Sequence, residues 1–311
     1  MSKLAAGARP PSGAQWSISA EGHEAVVVEV GGGLRSYRAG GVDYLDGYAE
    51  DELAVGGAGQ VLAPWPNRIR DGRYTFDGVE RQLALTEPTR HNAIHGLVNW
   101  APWRCVAHDT DHVTVEYVLP AQPGYPWTLQ LRTRWRVGGD GLGVTHEVVN
   151  LGPAPAPFGL AVHPYLRLAG APVDELSLRL PARTRLQVDD RMLPIAATPV
   201  TGGEYDFTEA RRIGAQTLDT AFGDVDRGDD GGSAATLTGA DGAAVTVWAD
   251  RAFGWWQVFT ADTLPGERRR RAVALEPMTC PPDAFRSGRD LIVLRPGEPW
   301  RASWGIRPGA A

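Results

Sequence analysis

Apolar and polar residues alternate along many short stretches of this chain. In the clearest stretch, residues 127–137, the odd-numbered positions form an almost continuous apolar series: Trp127, Leu129, Leu131, Thr133, Trp135 and Val137. The even-numbered positions between them are polar: Thr128, Gln130, Arg132, Arg134 and Arg136. Successive side chains of a strand point to opposite faces, so this period of two predicts a half-buried β-strand.

Similar runs predict further strands at residues 25–30, 112–119, 143–150, 176–180, 235–238, 243–249, 291–294 and 302–306. Residues 74–78 begin a hairpin whose turn is Asp77-Gly78. Helical periodicity is scarce, and only residues 208–213 are predicted to form a short helix. Many short strands separated by Gly, Pro and Asp turns indicate an all-β fold, a sandwich or a barrel, with few short helices.

The composition narrows the range of partners. The chain has 311 residues, a net charge of -6 and a pI near 5.7, which argues against nucleic acid or an anionic membrane surface as the main partner. No apolar run is long enough to predict a membrane span. Cys105 and Cys280 are too few for a disulfide framework, and their spacing fits no metal motif. The 11 Trp residues are numerous, and an indole offers a flat apolar face to a sugar or a base.

The first 13 residues differ from the rest of the chain. They contain small residues and a Pro pair, but no apolar segment of the kind that a signal peptide has. We predict that residues 1–13 form a disordered lead-in to a cytoplasmic protein. Because no repeat or linker divides the remainder, residues 14–311 are expected to form a single domain.

His163 is the first candidate for chemistry. An apolar run, residues 158–162, leads into His163-Pro164, and the proline removes a backbone donor and biases the histidine towards an extended conformation. A strand is therefore expected to end with its imidazole exposed to a cavity. Histidine gives or takes a proton near neutral pH, so His163 is a general-acid candidate. The alternative is a structural histidine with satisfied hydrogen bonds.

Glu276 mirrors this arrangement. The apolar run 272–275 ends in Glu276-Pro277, so a carboxylate is expected at the end of a buried strand. Desolvation raises the pKa of a buried carboxyl group, which suits a general base that works near pH 7. Two strand ends before proline thus offer an acid and a base.

Three further residues are candidates for binding. Arg68 lies in a segment between prolines that has neither strand nor helix periodicity, and its guanidinium can donate to hydroxyls or to an anion, whereas Arg70 is expected at the surface. His95 precedes Gly96, where a backbone can approach a ligand closely, and we prefer it to His91. A metal pair of the two histidines is the weaker hypothesis, because the segment is expected to be a loop. Asp219 lies between apolar neighbours, with turn formation as the alternative.

Five motifs in this order resemble the aldose 1-epimerase (galactose mutarotase) family: Asn67-Arg68-Ile69, Ile94-His95-Gly96, His163-Pro164-Tyr165, Leu218-Asp219 and Leu275-Glu276-Pro277. The resemblance extends from about residue 25 to residue 306. It implies a single large antiparallel β-sandwich of the galactose mutarotase-like supersandwich type, with a sugar cleft on one face. It also implies a small-molecule sugar as the partner, no cofactor and no metal, and a monomer or homodimer.

The resemblance assigns roles to these residues. Glu276 would remove the proton from the C1 hydroxyl while His163 protonates the ring oxygen. Arg68 and His95 would hold hydroxyls and steady the ring oxygen, and Asp219 would bind hydroxyls. Further sugar contacts are expected from Asn67 and from an aromatic platform. The aromatic candidates are Trp65, Phe253, Trp255, Trp256 and Phe259, of which we select Trp256.

The substrate stays open at this point. Gly96 is followed by Leu97 where the family often has a second Gly, and residues 276–285 resemble a bacterial mutarotase-like subgroup. Arg68, Arg70 and the run 268–271 admit an anionic hexose (sulfonated, uronate or phosphate) beside a neutral one such as glucose or galactose, although the run is more typical of a hydrated loop. The alternative functions are a glycoside hydrolase that uses Asp219 and Glu276, and a non-catalytic carbohydrate-binding protein. The acid–base hypothesis requires Glu276 and His163 within about 10 Å of each other, so that both reach one pyranose ring.

Overall fold

The structure is a computed structural model that describes residues 9–310 of the chain. Among these residues the first strands, in chain order, are β1 (Gln15–Ala20), β2 (His23–Val28), β3 (Leu34–Ala39), β4 (Val42–Asp43), β5 (Val61–Leu62), β6 (Arg68–Arg70), β7 (Arg73–Phe76), β8 (Val79–Gln82), β9 (Asn92–Ile94), β10 (Arg104–His108), β11 (His112–Leu119), β12 (Leu129–Gly138), β13 (Gly141–Asn150) and β14 (Ala156–Phe158).

The remaining strands are β15 (Ala161–Val162), β16 (Tyr165–Leu166), β17 (Ser177–Arg179), β18 (Ala182–Val188), β19 (Pro194–Pro199), β20 (Arg211–Arg212), β21 (Asp219–Val225), β22 (Ser233–Thr238), β23 (Ala243–Ala249), β24 (Trp255–Phe259), β25 (Val273–Met278), β26 (Ile292–Leu294) and β27 (Pro299–Ala310). Helical structure in the described part is limited to α1 (Ala284–Ser287) and to short 3₁₀ turns at Val55–Gly57, Pro88–Arg90, Val173–Glu175 and Gly266–Arg268.

Two large antiparallel sheets dominate the fold. One has the order β10-β11-β12-β13-β27-β23-β22-β17-β20, and the other has the order β19-β18-β21-β24-β25-β15-β5, with β16 also paired to β25. A four-stranded meander, β1 to β4, packs through β1 and β2 against β12. The predicted all-β fold is confirmed as a large antiparallel β-sandwich with few short helices.

The strands predicted from period two are present. β11 and β23 have the predicted bounds, and along β12 the apolar positions are buried while the arginines are exposed or partly exposed. The hairpin of β7 and β8 turns at Asp77 and Gly78, which have φ of 50° and 72°. Both values lie in the left-handed region that a type I′ turn requires.

The prediction of a helix at residues 208–213 is wrong. The Asp206 carboxylate accepts hydrogen bonds from both the backbone N–H and the hydroxyl of Thr208, at 3.1 and 2.5 Å. This local turn competes with the first turn of a helix. The chain then extends into β20, where Arg211 and Arg212 pair with β17.

Of the lead-in predicted for residues 1–13, the structure describes residues 9–13. Residues 1–8 lie outside the described residues. Ser12 is buried, and its carbonyl oxygen accepts a 2.9 Å hydrogen bond from the N–H of Val30. Arg9 also forms an ion pair with Glu29 at 2.5 Å.

The main hydrophobic core covers one face of the eight-stranded sheet. It includes Phe222, Trp256, Val258 and Leu275 from the central strands of that sheet, and it continues from Ile18 to Ile306. This continuity supports the single domain that we propose for residues 14–311. The opposite face of the same strands is free to carry polar side chains, and the cleft described below lies there.

Within residues 9–310 we find no helix with the length and apolar character needed to cross a bilayer. The cytoplasmic location and the oligomeric state stay predictions.

Candidate active site

A cleft of about 430 Å³ lies on the face of the eight-stranded sheet that is opposite to the main core. Its floor comes from neighbouring strands: Asp219 from β21, Gln257 from β24 and Glu276 from β25. Since side chains alternate along a strand, these three point into the cleft while the next residues, such as Trp256 and Leu275, point into the core. The volume is in the range of about 300–1,000 Å³ that is typical of small-molecule sites.

His163 lies where the strand next to β25 is interrupted, between β15 and β16. Its backbone is fixed on both sides, because its N–H donates to Gln60 O at 3.3 Å and its carbonyl accepts from Gly59 N at 2.9 Å. The imidazole stacks on Tyr165, with ring centroids 4.9 Å apart. Tyr165 is held in turn because its hydroxyl donates to Gly56 O at 2.9 Å. The ring of His163 therefore has a defined position in the cleft.

His163 and Glu276 meet on the floor of the cleft. The imidazole Nε2 is 3.3 Å from Glu276 Oε1, well inside the 10 Å that the acid–base hypothesis requires. Both side chains are almost fully buried, at 6% and 3% exposure. One pyranose ring can therefore reach both groups, and a proton can pass between them.

Glu276 does not end a strand, so this part of the sequence prediction is wrong. β25 continues through Glu276 and Pro277 to Met278. The N–H groups of Leu275 and Thr279 donate towards the β15/β16 side, to Pro164 O at 3.3 Å and Leu160 O at 2.9 Å. By alternation the missing N–H of Pro277 lies between them, beside the interruption at His163, where no ladder bond is lost.

Arg68 is fixed by two other side chains. Its Nε and one terminal nitrogen donate to the two carboxylate oxygens of Glu87, at 2.8 and 3.0 Å. The other terminal nitrogen is 3.5 Å from Asn67 Oδ1, which also accepts the N–H of Arg68 at 3.0 Å. This two-point contact with a carboxylate holds the guanidinium plane in one orientation at the wall of the cleft.

His95 is placed by the backbone of Asn67. The N–H of His95 donates to Asn67 O at 2.9 Å, and both residues have left-handed backbone, with φ of 63° and 50°. Such conformations cost free energy in a non-glycine residue and are concentrated at functional sites. The His95 ring packs edge-on against the ring of His163, with centroids 5.7 Å apart.

Replacement of Gly96 by alanine is expected to destabilise the protein. Gly96 has φ of 77°, and a Cβ there would overlap the carbonyl of Ala63. The left-handed backbone costs about 1–2 kcal/mol for a residue with a Cβ, and the overlap costs about 1–3 kcal/mol more. Denaturant unfolding should report the sum as a loss of free energy of unfolding.

The matched control is Gly78→Ala. Gly78 has φ of 72°, but a Cβ there would meet nothing within 4 Å. Gly78→Ala should lose only the free energy of unfolding that the left-handed backbone costs, about 1–2 kcal/mol. Equal losses in the two variants would therefore show that the Gly96 backbone does not lie against Ala63.

Asp219 is tied to the floor by Gln257, whose Nε2 donates to Asp219 Oδ1 at 2.6 Å. β21 and β24 are adjacent, as are β24 and β25, and Gln257 lies opposite Glu276 in register. Asp219 itself pairs with Phe259, two residues along β24 from Gln257, so Asp219, Gln257 and Glu276 form one diagonal polar group on the cleft face. Its remaining oxygen and nitrogen atoms face the cleft, where they can bind hydroxyl groups.

Burial sets the protonation of the floor. It raises the pKa of Glu276 well above the usual range of a carboxyl group, and the negative charge of Asp219 raises it further, while Arg68 lowers it. Burial also raises the pKa of Asp219. It lowers the pKa of His163 to about 4 and that of His95 well below the usual range of histidine. Burial in the cleft thus disfavours charge on its acidic and basic groups alike.

Four buried polar atoms around the cleft have no protein partner within the described residues: Gln60 Oε1, His95 Nδ1, His163 Nδ1 and Gln257 Oε1. Buried polar atoms are nearly always hydrogen-bonded in folded proteins, because an unpaired one costs about 1–3 kcal/mol. Such a cluster in one cleft is typical of a site for a ligand that carries many hydroxyl groups.

The selection of Trp256 as a substrate contact disagrees with the structure. Trp256 is fully buried in the main core, and its indole N–H donates to Ser233 Oγ at 3.1 Å. Of the five aromatic candidates only Phe259 lines the cleft. Sequence reasoning missed Gln257 and Gln60, and it missed Trp100 at the mouth. In the case of Gln257, a lone polar residue between Trp256 and Val258 was the available signal.

Arg70, His91 and the run 268–271 lie outside the cleft lining. Arg70 is 3.5 Å from Asp189, and His91 interacts with Asp71 at 2.9 Å. Within the run 268–271, three members form ion pairs, with partners Asp46, Glu52, Asp174 and Asp262. The run therefore stabilises the loop on which it lies. No group of three His, Cys, Asp or Glu side chains in the described part of the chain has the geometry to hold a metal ion.

The fold and the cleft define a β-sandwich of the galactose mutarotase type with a buried histidine–glutamate pair on one face. Known structures support the fold: the GalM/aldose epimerase homologue of Caenorhabditis elegans superposes with a TM-score of 0.86 over 96% of this chain and 99% of that one, at 18% identity. Galactose 1-epimerase of Lactobacillus acidophilus superposes with a TM-score of 0.79 over 94% of both chains, at 20% identity.

The sequence pattern of the aldose 1-epimerase family matches residues 14–307, and this chain belongs to that family. The uncharacterized Escherichia coli K12 protein YihR is 33% identical over 296 residues, which cover 95% of this chain and 93% of YihR. Rat galactose mutarotase is 28% identical over 182 residues, about half of each chain.

Proposed function

We propose that this protein is an aldose 1-epimerase that interconverts the α and β anomers of a hexose. The observation that carries the proposal is the pair of His163 Nε2 and Glu276 Oε1, 3.3 Å apart on the buried floor of a cleft rich in unpartnered polar atoms. Anomer interconversion needs one acid and one base that act on the two oxygens bonded to C1, the ring oxygen and the C1 hydroxyl. Membership of the aldose 1-epimerase family supports the same reaction.

The reaction proceeds by ring opening. Glu276 takes the proton of the C1 hydroxyl while His163 gives a proton to the ring oxygen, so that the bond between C1 and the ring oxygen breaks and a free aldehyde forms. Rotation about the C1–C2 bond presents the other face of the aldehyde. The reverse proton transfers close the ring as the other anomer, and both residues return to their starting state.

The pair needs one proton in total. Because burial raises the pKa of Glu276 and lowers that of His163, the proton of the pair rests on Glu276. Transfer across the 3.3 Å contact gives the reactive form, carboxylate and imidazolium, without any exchange with solvent. Substrate hydroxyls and the guanidinium of Arg68 would stabilise that charge-separated form.

The other residues of the cleft hold the ring. Arg68 and His95 contact hydroxyls and the ring oxygen, and Asp219, Gln257 and Asn67 form hydrogen bonds with further hydroxyls.

The charges of the cleft favour a neutral aldohexose over an anionic one. Arg68 and Arg90 line the cleft, but both guanidiniums bond to Glu87, and Asp219 and Glu276 add two carboxyl groups. An anion would thus find no unpaired cation among the described lining residues.

NMR exchange spectroscopy of anomer interconversion tests the function. The panel comprises glucose, galactose, a uronate and a sulfonated hexose, each compared with the spontaneous rate in the same buffer. Acceleration of a neutral hexose is expected. Acceleration of only the anionic sugars would overturn the charge argument. Failure with every sugar, together with cleavage of an aryl glycoside, would favour a hydrolase built on Asp219 and Glu276, and sugar binding without either activity would favour a non-catalytic protein.

The pH profile of kcat/KM should be bell-shaped. At low pH a second proton enters the pair at His163, whose pKa is about 4, and no base remains. At high pH the last proton leaves Glu276, whose pKa is raised, and no acid remains. Activity should therefore fall below about pH 4 and on the alkaline side, after subtraction of the spontaneous rate at each pH. An acid limb near pH 6.5 would show a histidine with an ordinary pKa and would contradict this proton inventory.

A further inference from the structure

Trp100 is the exposed aromatic residue of the cleft. It lies in the loop between β9 and β10, lines the mouth of the cleft, and has 54% of its surface exposed. Among the Phe, Tyr and Trp side chains of the described residues it alone belongs to the exposed class. Its indole has no aromatic stacking partner, no cation–π contact and no hydrogen bond among those residues.

The backbone under this indole is fixed. The carbonyl of Asn99 accepts a 2.6 Å hydrogen bond from Gln60 Nε2, and the carbonyl of Ala101 accepts one from Gly31 N at 2.9 Å. Ala101 N donates to Val98 O at 3.1 Å, which closes the turn around Trp100. An exposed apolar ring on an anchored loop is thus held ready for a ligand, which lowers the entropic cost of binding one.

The reaction fixes how a sugar enters. Glu276 and His163 lie on the floor, so the C1 hydroxyl and the ring oxygen of the substrate must point downwards. In a pyranose, C4 is the ring atom opposite C1. The C4 side of the ring therefore faces the mouth of the cleft, and Trp100 and Leu264 are among the lining residues. A substituent on O4 would leave the cleft past these side chains.

We infer that Trp100 forms a second sugar subsite: when the reducing-end hexose of an oligosaccharide enters the cleft, the next unit, linked through O4, stacks on the indole. The inference rests on the proposed function, because it takes C1 to be the reacting atom. The faces of a pyranose present C–H groups that pack against an indole ring, and the indole N–H can donate to a hydroxyl. A free hexose leaves the Trp100 face uncovered.

The test compares a monosaccharide with its disaccharides. The probe is the faster of glucose and galactose, together with maltose and cellobiose for glucose or 4-O-galactosyl-galactose for galactose. Anomer exchange is measured for wild type, Trp100→Ala and Trp100→Phe. The control is Ile195→Ala, which removes an exposed side chain on β19, outside the cleft.

In Trp100→Ala the ratio of kcat/KM for the disaccharide to kcat/KM for the monosaccharide should fall about tenfold, which corresponds to about 1.4 kcal/mol. The fall should come from a higher KM for the disaccharide, with kcat nearly constant, because the contact is the same in ground state and transition state. Trp100→Phe should retain most of the ratio, and Ile195→Ala should retain all of it.

Two results would overturn the inference alone: wild type that acts on the hexose but not on its disaccharides, or a ratio that Trp100→Ala leaves unchanged. Wild type that accelerates no sugar would overturn the proposed function, and the second subsite with it.

Discussion

Replacement of Glu276 by glutamine should lower kcat for anomer interconversion by about 10²–10⁴-fold, the usual contribution of a positioned general base. Glutamine has the same shape and still fits beside His163, but it takes up no proton at physiological pH. KM should change little, because the hydroxyl contacts of the other cleft residues remain. NMR exchange with the best sugar of the panel measures the rate.

The same variant should be as stable as wild type or more stable. Burial raises the pKa of Glu276, so a charged carboxylate at this site does not stabilise the folded protein. The neutral amide of glutamine also avoids the free-energy cost of burying that charge. Glu80→Gln, an exposed change on β8 outside the cleft, serves as the control for both measurements. A Glu276→Gln protein that is folded and has kcat within tenfold of wild type would exclude Glu276 as the base.

Replacement of His163 by asparagine should have an effect of the same order on kcat, about 10²–10⁴-fold, because the variant lacks the acid that protonates the ring oxygen. The double variant with Glu276→Gln should be little worse than either single variant, since two groups that exchange one proton act as a unit. Single-turnover rates and thermal denaturation would separate loss of chemistry from loss of structure.

His146 provides the matched control. It is as buried as His163, and burial lowers its pKa to about 3. Both of its nitrogens are paired, however: Nδ1 lies 2.9 Å from Thr133 Oγ1, and Nε2 accepts the indole N–H of Trp304 at 3.0 Å. His146→Asn should therefore lose about 1–3 kcal/mol of stability through unpaired partners and keep its kcat. If instead His163→Asn lost stability and kept its kcat, His163 would be a structural histidine.

Strand periodicity predicted the sheets well because their strands bury one face more than the other. β12 alternates Leu, Thr and Trp with Gln and Arg, so the residue types alone identify its inward and outward faces. β24 is different, since four of its five residues are buried. Because Trp255 and Trp256 are adjacent, the pattern does not show which indole is on the cleft side of the sheet. Trp256, which we selected, is on the core side.

Contacts between distant residues were beyond the reach of sequence reasoning. The His163 and Glu276 candidates were found because each is a titratable residue after an apolar run. Glu87 has no such signal, although it fixes Arg68 from 19 positions away. The exposure of Trp100 likewise depends on how its loop meets Gly31 and Gln60. The charged run 268–271 left an anionic substrate open because two of its partners, Asp46 and Glu52, are more than 200 positions earlier in the chain.

The cleft joins two kinds of support. Glu276, Gln257 and Asp219 stand on hydrogen-bonded strands in the middle of a sheet, whereas Trp100, Leu264 and their neighbours stand on loops. Strand positions tolerate little movement, while loops accept substitution and changes of length. Selection, or an engineer, can therefore exchange the outer surface to admit other sugars while the proton-transfer machinery stays as it is, which makes this scaffold a source of new specificities from a constant reaction.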